Sequence, residues 1–339
     1  MVVASDRGAE AGVIPRLRFG RQHDITRAAA RRTVGGVPTF MSSRHRRPTS
    51  SWARRAAVEM KRPRDDTYVP MLLTLLSTVL VDKNELDPAL AALHEALALA
   101  QAGHHLRALC GCHDWLVVVA LRLFDLPLAR EHTEAMADVA GRIGQVMLLA
   151  AVPTKRGEIA LFEGRLDDAA AEAQEGAAAM AKLGLGQHEG FALGVAGAAL
   201  AAADRPADAR ALHERAHAAF AKPNLEYDMR ASRLLIADTW RAEGDLARAM
   251  TLLEAEMPAL EGSAGLLASD FGLAARMMAW RVLHAAGDAR AASQLMLARK
   301  GLDDRMRHIA DPQTRERVLT LPPLHREITA AWAEHGNAR

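Results

Sequence analysis

From Tyr68 to about Arg305, apolar residues recur at intervals of three and four, in stretches broken by short clusters of Gly, Asn, Asp and Pro. That period puts the apolar side chains on one stripe of a helix, whereas a half-buried strand would need alternation with a period of two. The breaks themselves repeat. In six of them a punctuating residue is followed five positions later by alanine: NELDPA, FDLPLA, GRLDDA, DRPADA, GDLARA and GDARAA, starting at Asn84, Phe124, Gly164, Asp204, Gly244 and Gly287. Successive starts are 40 residues apart, except the last, which follows after 43. Five of the six starts are Gly, Asn or Asp, which tolerate the left-handed conformation that closes a helix. Asp125, Asp245 and Asp288, one place further on, can cap the next helix by accepting its free amide hydrogens. The alanines (Ala89, Ala129, Ala169, Ala209, Ala249 and Ala292) stand where two antiparallel helices joined by so tight a turn come closest. Each unit therefore reads as a helical hairpin, with about 14 residues before the turn and about 14 to 20 after it. Gly103, Gly144, Gly184 and Pro223 punctuate the ends of successive units.

Composition agrees with an all-α chain. Apolar residues make up 50% of the 339 but aromatics only 4%, so Ala, Leu, Val and Met must fill the interior, which suits closely approaching helices. The segments GEIALFEGRLDDAAAEAQEG and ADTWRAEGDLARAMTLLEAEM carry a small residue (Gly157, Ala237), a packing residue (Ala160, Trp240), a turn glycine and the contact alanine. In this the chain resembles the tetratricopeptide repeat family over residues 67–305, with a period longer than the usual one of about 34 and with Phe124 in place of a turn-former. The longer unit, and the tail ERVLTLPPLHREITAAWAEHG, are similar to the C-terminal repeat regions of large bacterial signalling ATPases and multidomain transcription regulators. The resemblance implies a right-handed α-solenoid of about six TPR-like helix-turn-helix repeats over residues 67–310, followed by a C-terminal capping helix within 311–339.

Charge divides the chain differently. Residues 1–66 hold 15 Lys and Arg against 6 Asp and Glu, a net +9, and the remainder holds 28 against 35, a net −7. The basic segment is rich in Arg, Ser, Gly and Pro without a sustained period, and is expected to be a disordered arm. It is the one part through which nucleic acid could be bound, although it lacks interleaved aromatics for stacking on bases. Apolar runs reach only about ten residues where a bilayer needs roughly 20, so no membrane partner is expected. Two cysteines one residue apart, Cys110 and Cys112, cannot staple a fold, which points to a reducing cytoplasm.

Two stretches invite a metal. His213-Glu214-x-x-His217 has the spacing of a zinc-peptidase helix, but Phe220 and Pro223 stand where the extended motif has Gly and His, and no third ligand sits in a recognisable motif. In the repeat register these histidines align mostly with packing residues such as Leu93, Leu253 and Met257. The cluster GHHLRALCGCHDW gathers His104, His105, Cys110, Cys112 and His113, yet side chains two apart on a helix point about 200° from each other and cannot share an ion. No metal, cofactor or catalytic group is expected; no Gly-Lys dipeptide exists to build a phosphate loop.

Binding is the remaining expectation. In such stacks the first helices line a concave face, and the resemblance assigns to it the places 13, 10, 6 and 3 residues before each turn. These include Thr74, Asp114, Glu158, Phe191, Asp238, Arg241, Arg281 and His284, with Arg122 one place later than the pattern. Asp238, Arg241 and Arg281 should cluster with Trp240 and Trp280 nearby. A groove of mixed charge fits a protein or peptide segment better than a phosphate chain, so the expected role is a non-catalytic scaffold, or the sensor module of a signalling or transcription-regulatory system.

Overall fold

The computed structural model describes residues 68–262 and 270–336; the basic arm and the connection at 263–269 lie outside the described residues. Every regular element among the described residues is an α-helix. Six hairpins follow one another: α1 (Val69–Asp82) with α2 (Leu86–Ala102), α3 (Leu106–Arg122) with α4 (Leu126–Ile143), and α5 (Val146–Phe162) with α6 (Leu166–Lys182). Then come α7 (Gly186–Ala202) with α8 (Pro206–Ala221), α9 (Glu226–Ala242) with α10 (Leu246–Gly262), and α11 (Asp270–Ala285) with α12 (Arg290–Met306). Two shorter helices close the chain, α13 (Pro312–Thr320) and α14 (Pro323–His335).

The turns explain the regularity. All six expected turn residues have positive φ, and so do four more midway between them: His104, Gly144, Gly184 and Asn224. A left-handed residue thus recurs every 20 positions from Asn84 to Gly244, and connections within and between hairpins have the same form. After each, the next amide reaches the carbonyl five residues back, as Arg165 N does to Ala160 O at 2.9 Å and Gln145 N to Ala140 O at 2.9 Å. This six-to-one bond is the Schellman closure. From Glu85 to Leu225 the donating residue is also the N-cap of the following helix, so two to four residues end one helix and start another. Asp125 and Asp245 cap as expected, accepting from Leu128 N (3.2 Å) and Arg248 N (3.0 Å); in the last hairpin the N-cap is Ala289 instead, and Asp288 accepts from Arg290 N (2.9 Å) one place before it. Phe124 pays roughly 1–2 kcal/mol for a left-handed backbone at φ 53°. Its ring is 7% exposed and meets Phe162 edge-on at 5.1 Å, and burying a phenyl group returns about 1.5–3 kcal/mol. Packing therefore outweighs strain.

Ala89, Ala129, Ala169, Ala209 and Ala249 are fully buried at the hairpin contacts. In the sixth hairpin the buried alanine is Ala291, and Ala292 is exposed. There the first bond of α12 runs from Ala291 N to Asp288 O, three residues back instead of four, so a tighter opening turn brings the earlier alanine inward. Helices approach closely enough to require glycine as well: a Cβ on Gly157 would lie 3.0 Å from Ala169 O and from Ala173 N.

Each helix packs on the next along the chain. Beyond that, α1 touches α3, α3 touches α5, α5 touches α7 and α9 touches α11, whereas no such substantial contact links α2 to α4 or α4 to α6. First helices thus form the tight inner layer and second helices the spread outer one. The two ends of the row also meet. One apolar core contains Leu80, Leu86, Leu116 and Leu123 together with Met277, Leu295, Leu302, Val318 and Ile328, and among the described residues it includes no buried one between 124 and 272. Such a core is continuous only if the first two hairpins pack directly on the last hairpin and the closing helices. Polar contacts agree: Ala310 N donates to Asp87 Oδ2 at 2.8 Å, and Arg317 Nε donates to Leu123 O at 3.1 Å.

Candidate functional site

The expected groove residues fall into two ionic clusters on the inner layer. In the first, Asp114 of α3 and Lys155 of α5 form an ion pair at 2.8 Å with both side chains nearly inaccessible, at 3% and 4%. Glu158, one helical turn beyond Lys155, is half-buried. Burial pushes its carboxyl up to about 7; Lys155 and Arg122 pull it down and Asp114 adds to the rise. Arg122 Nη1 donates to Val81 O of α1 at 2.9 Å, tying the second hairpin to the first. Thr74 is buried, donating to Pro70 O at 2.8 Å and lying 3.4 Å from the Cys112 sulfur. Phe191 is half-buried against the apolar core of the central hairpins.

The second cluster joins Asp238, Arg241 and Arg281, as the repeat register implies. Arg241 Nε donates to Asp238 Oδ1 at 2.6 Å, and Arg281 Nη1 donates to Asp238 Oδ2 at 2.5 Å across adjacent inner helices. Arg281 also forms a forked pair with Glu327 of α14, its Nε donating to Oε1 at 2.7 Å. Burial lowers the Arg281 pKa, but Glu327 and Asp238 more than reverse this and raise it overall. Trp280 stacks on His284 with ring centres 5.1 Å apart, and His335 closes on His284 at 4.7 Å. The Trp240 ring meets the guanidinium groups of Arg210 (3.7 Å), on the second helix of the preceding hairpin, and Arg248 (4.5 Å), on the second helix of its own.

Sequence reasoning did not find Lys155, Glu327 or His335. Lys155 lies one place off the counted register, and Glu327 and His335 lie beyond the last repeat, where the period gives no guide. Asp114 was counted as groove-facing; it is instead only 2% exposed, because Lys155 draws it into the inner layer.

The two metal-like stretches separate on folding. The His213 ring packs against Gly197, where a Cβ would come within 2.4 Å of it, and burial lowers its pKa to about 4, partly opposed by Asp238. His217 Nδ1 instead lies 3.2 Å from Met229 O on α9. Cys110 faces Met136 O of α4 and Cys112 faces Thr74 of α1, in keeping with opposite directions for side chains two apart. His113 pairs Nδ1 to Nδ1 with His132 at 3.2 Å, and burial followed by the His132 charge lowers its pKa to about 4. Among the described residues no three His, Cys, Asp or Glu side chains are grouped to hold a metal ion, and no helix is long and apolar enough to cross a membrane.

No protein-family model matches the chain, and the curated proteins contain no significant match. Solved structures do match. BtubC (BKLC) from P. vanneervenii superposes with a TM-score of 0.50 at 18% identity, over 71% of this chain and 92% of that one. A signal transduction ATPase with numerous domains and a tetratricopeptide repeat sensor, from Pyrococcus horikoshii, gives a TM-score of 0.55 at 14% identity, over 75% of this chain and 39% of that one. At such identities the likeness is one of fold: the chain is a TPR-like helical repeat protein.

Proposed function

We propose that this protein is a non-catalytic scaffold of the cytoplasm that recognises a protein or peptide partner, as the sensing part of a signalling or transcription-regulatory system. The observation that carries this reading is the second ionic cluster. On an inner layer built mostly of apolar contacts, Asp238, Arg241 and Arg281 form a partly exposed mixed-charge row, and a helix from elsewhere in the chain already docks on it through Glu327. Mixed charge beside the aromatic edge of Trp280 and His284 is suited to a polypeptide that carries both signs. The structural likeness to a signal transduction ATPase described as having a tetratricopeptide repeat sensor supports the same reading. The free, buried state of Cys110 and Cys112 supports a reducing compartment.

The test is quantitative affinity capture from native cells with the full chain as bait, beside a chain carrying Arg241→Glu. We expect one or a few proteins to be enriched by the natural chain and lost with the variant. Identical protein lists from both baits would sink the reading.

A further inference from the structure

The last two helices break the cadence of the row. α13 and α14 have nine and 13 residues where most hairpin helices have 17. They bury few side chains, Val318 from α13 and His325, Ile328 and Ala331 from α14, whereas α3 alone buries 11. Beside their apolar contacts with the shared core, polar contacts near the surface attach them. Arg317 meets Asp125 at 3.3 Å with both side chains about a third exposed, and Glu327 and Arg281 are exposed to the same degree. The Arg317 pair, so open to water, holds weakly, and segments with few buried contacts open locally at low cost.

The side chains of α14 at this junction fall on one stripe. Glu327, Ile328, Ala331 and Trp332 occupy places i, i+1, i+4 and i+5, with Ile328 fully buried and Trp332 packed at the edge of the core. That is the pattern of an amphipathic helix lying in a groove, with a carboxylate at its rim. On the receiving side Asp238 holds Arg281 independently of α14, so the guanidinium is positioned for an incoming carboxylate even when α14 is absent.

We infer that the seat of α14 is the partner site and that α14 is its internal ligand. The partner is a helical protein segment with an acidic residue in the place of Glu327 and apolar residues one, four and five positions further on, which competes with α14. This rests on the scaffold reading above and names the kind of partner.

A fluorescent peptide of residues 312–336 tests it, titrated by anisotropy against the full natural chain and against full chains carrying Glu327→Arg or the milder Glu327→Gln. A seat occupied most of the time lowers apparent affinity by the fraction that is open, so both variants should bind the peptide more tightly, Glu327→Arg by about tenfold or more. Adding Arg281→Glu to the Glu327→Gln chain should abolish that binding, and a peptide with Arg at the Glu327 place should restore it. In hydrogen exchange, α14 amides should exchange well before those of α3. Protection of α14 equal to that of α3, with no peptide bound by either variant, overturns the inference. So does a Glu327→Arg chain that sediments as a dimer, since the occupant would then be a second copy. A partner captured by the natural chain but not displaced by excess peptide sinks the seat and leaves the scaffold reading standing. Failure to capture any partner, with peptide binding as expected, does the reverse.

Discussion

Lys155→Met strands the Asp114 carboxylate in the inner layer, and the geometry sets the size of the effect. At 2.8 Å two unit charges attract by about 6 kcal/mol at an effective dielectric near 20. Removing both ions from water costs several kcal/mol each, so the intact pair contributes little net stability. Breaking it is different. The stranded charge keeps its desolvation penalty, and its escape is to take up a proton, which for an ordinary aspartate carboxyl at pH 7 costs about 4 kcal/mol. The expected loss is therefore about 3–4 kcal/mol at pH 7, seen in urea unfolding followed by circular dichroism, or as a drop of roughly 10 °C in Tm. The penalty is the cost of that proton uptake on folding, so it must shrink by about 1.4 kcal/mol per pH unit as pH falls from 7 toward 4. Replacing both partners, Asp114→Leu with Lys155→Met, should restore stability to within about 1 kcal/mol of the natural chain. A loss below about 1 kcal/mol, or one that does not change with pH, would refute the argument and show that Arg122 or water takes over the carboxylate.

Other outcomes follow from the same packing. Gly157→Ala should destabilise by about 1–2 kcal/mol, because its Cβ meets rigid backbone atoms of Ala169 and Ala173; Gly194→Ala, with open space around it, should stabilise by about 0.5–1 kcal/mol in the same melt. His213, lowered to about 4 by burial, resists a proton that the unfolded chain accepts below about 6.5. Its contribution is thus complete above that pH and is lost as pH falls toward 4, and a His213→Met chain should lose less stability over this interval. Asp228, raised by burial to about 7, acts with the opposite sign: its penalty is relieved on acidification from 7, so Asp228→Asn should gain most relative to the natural chain above pH 7. Burial pushes the thiols of Cys110 and Cys112 up to about 12 and about 11, so Ellman's reagent at pH 8 should label neither until the protein is denatured.

The hairpins were legible because each turn needs a left-handed residue and each contact needs a small one, and both demands restrict residue type locally. Asn84, Gly164, Asp204, Gly244 and Gly287 satisfied the first demand openly. His104 and Phe124 take the same conformation without being turn residues, so the connection at His104 was visible only through its neighbour Gly103. At Asn224 the cue was likewise one place away, in Pro223. The register also brought Asp238, Arg241 and Arg281 together correctly, since equal places on neighbouring inner helices must adjoin. Meeting of the two ends was not legible. Asp87 and Ala310 are 223 positions apart, and no local pattern records which distant surface a helix will cover. For the same reason the seat of Glu327 on Arg281 appears only in three dimensions.

Contact between the ends carries a consequence for how such a molecule can change. A row of hairpins open at both ends can gain or drop a 40-residue piece and keep every remaining neighbour. Here the first and last pieces share a core through Leu80, Leu86, Leu295 and Leu302, so one piece more or fewer would pull those leucines apart. Adding or removing a hairpin would therefore have to break this shared core.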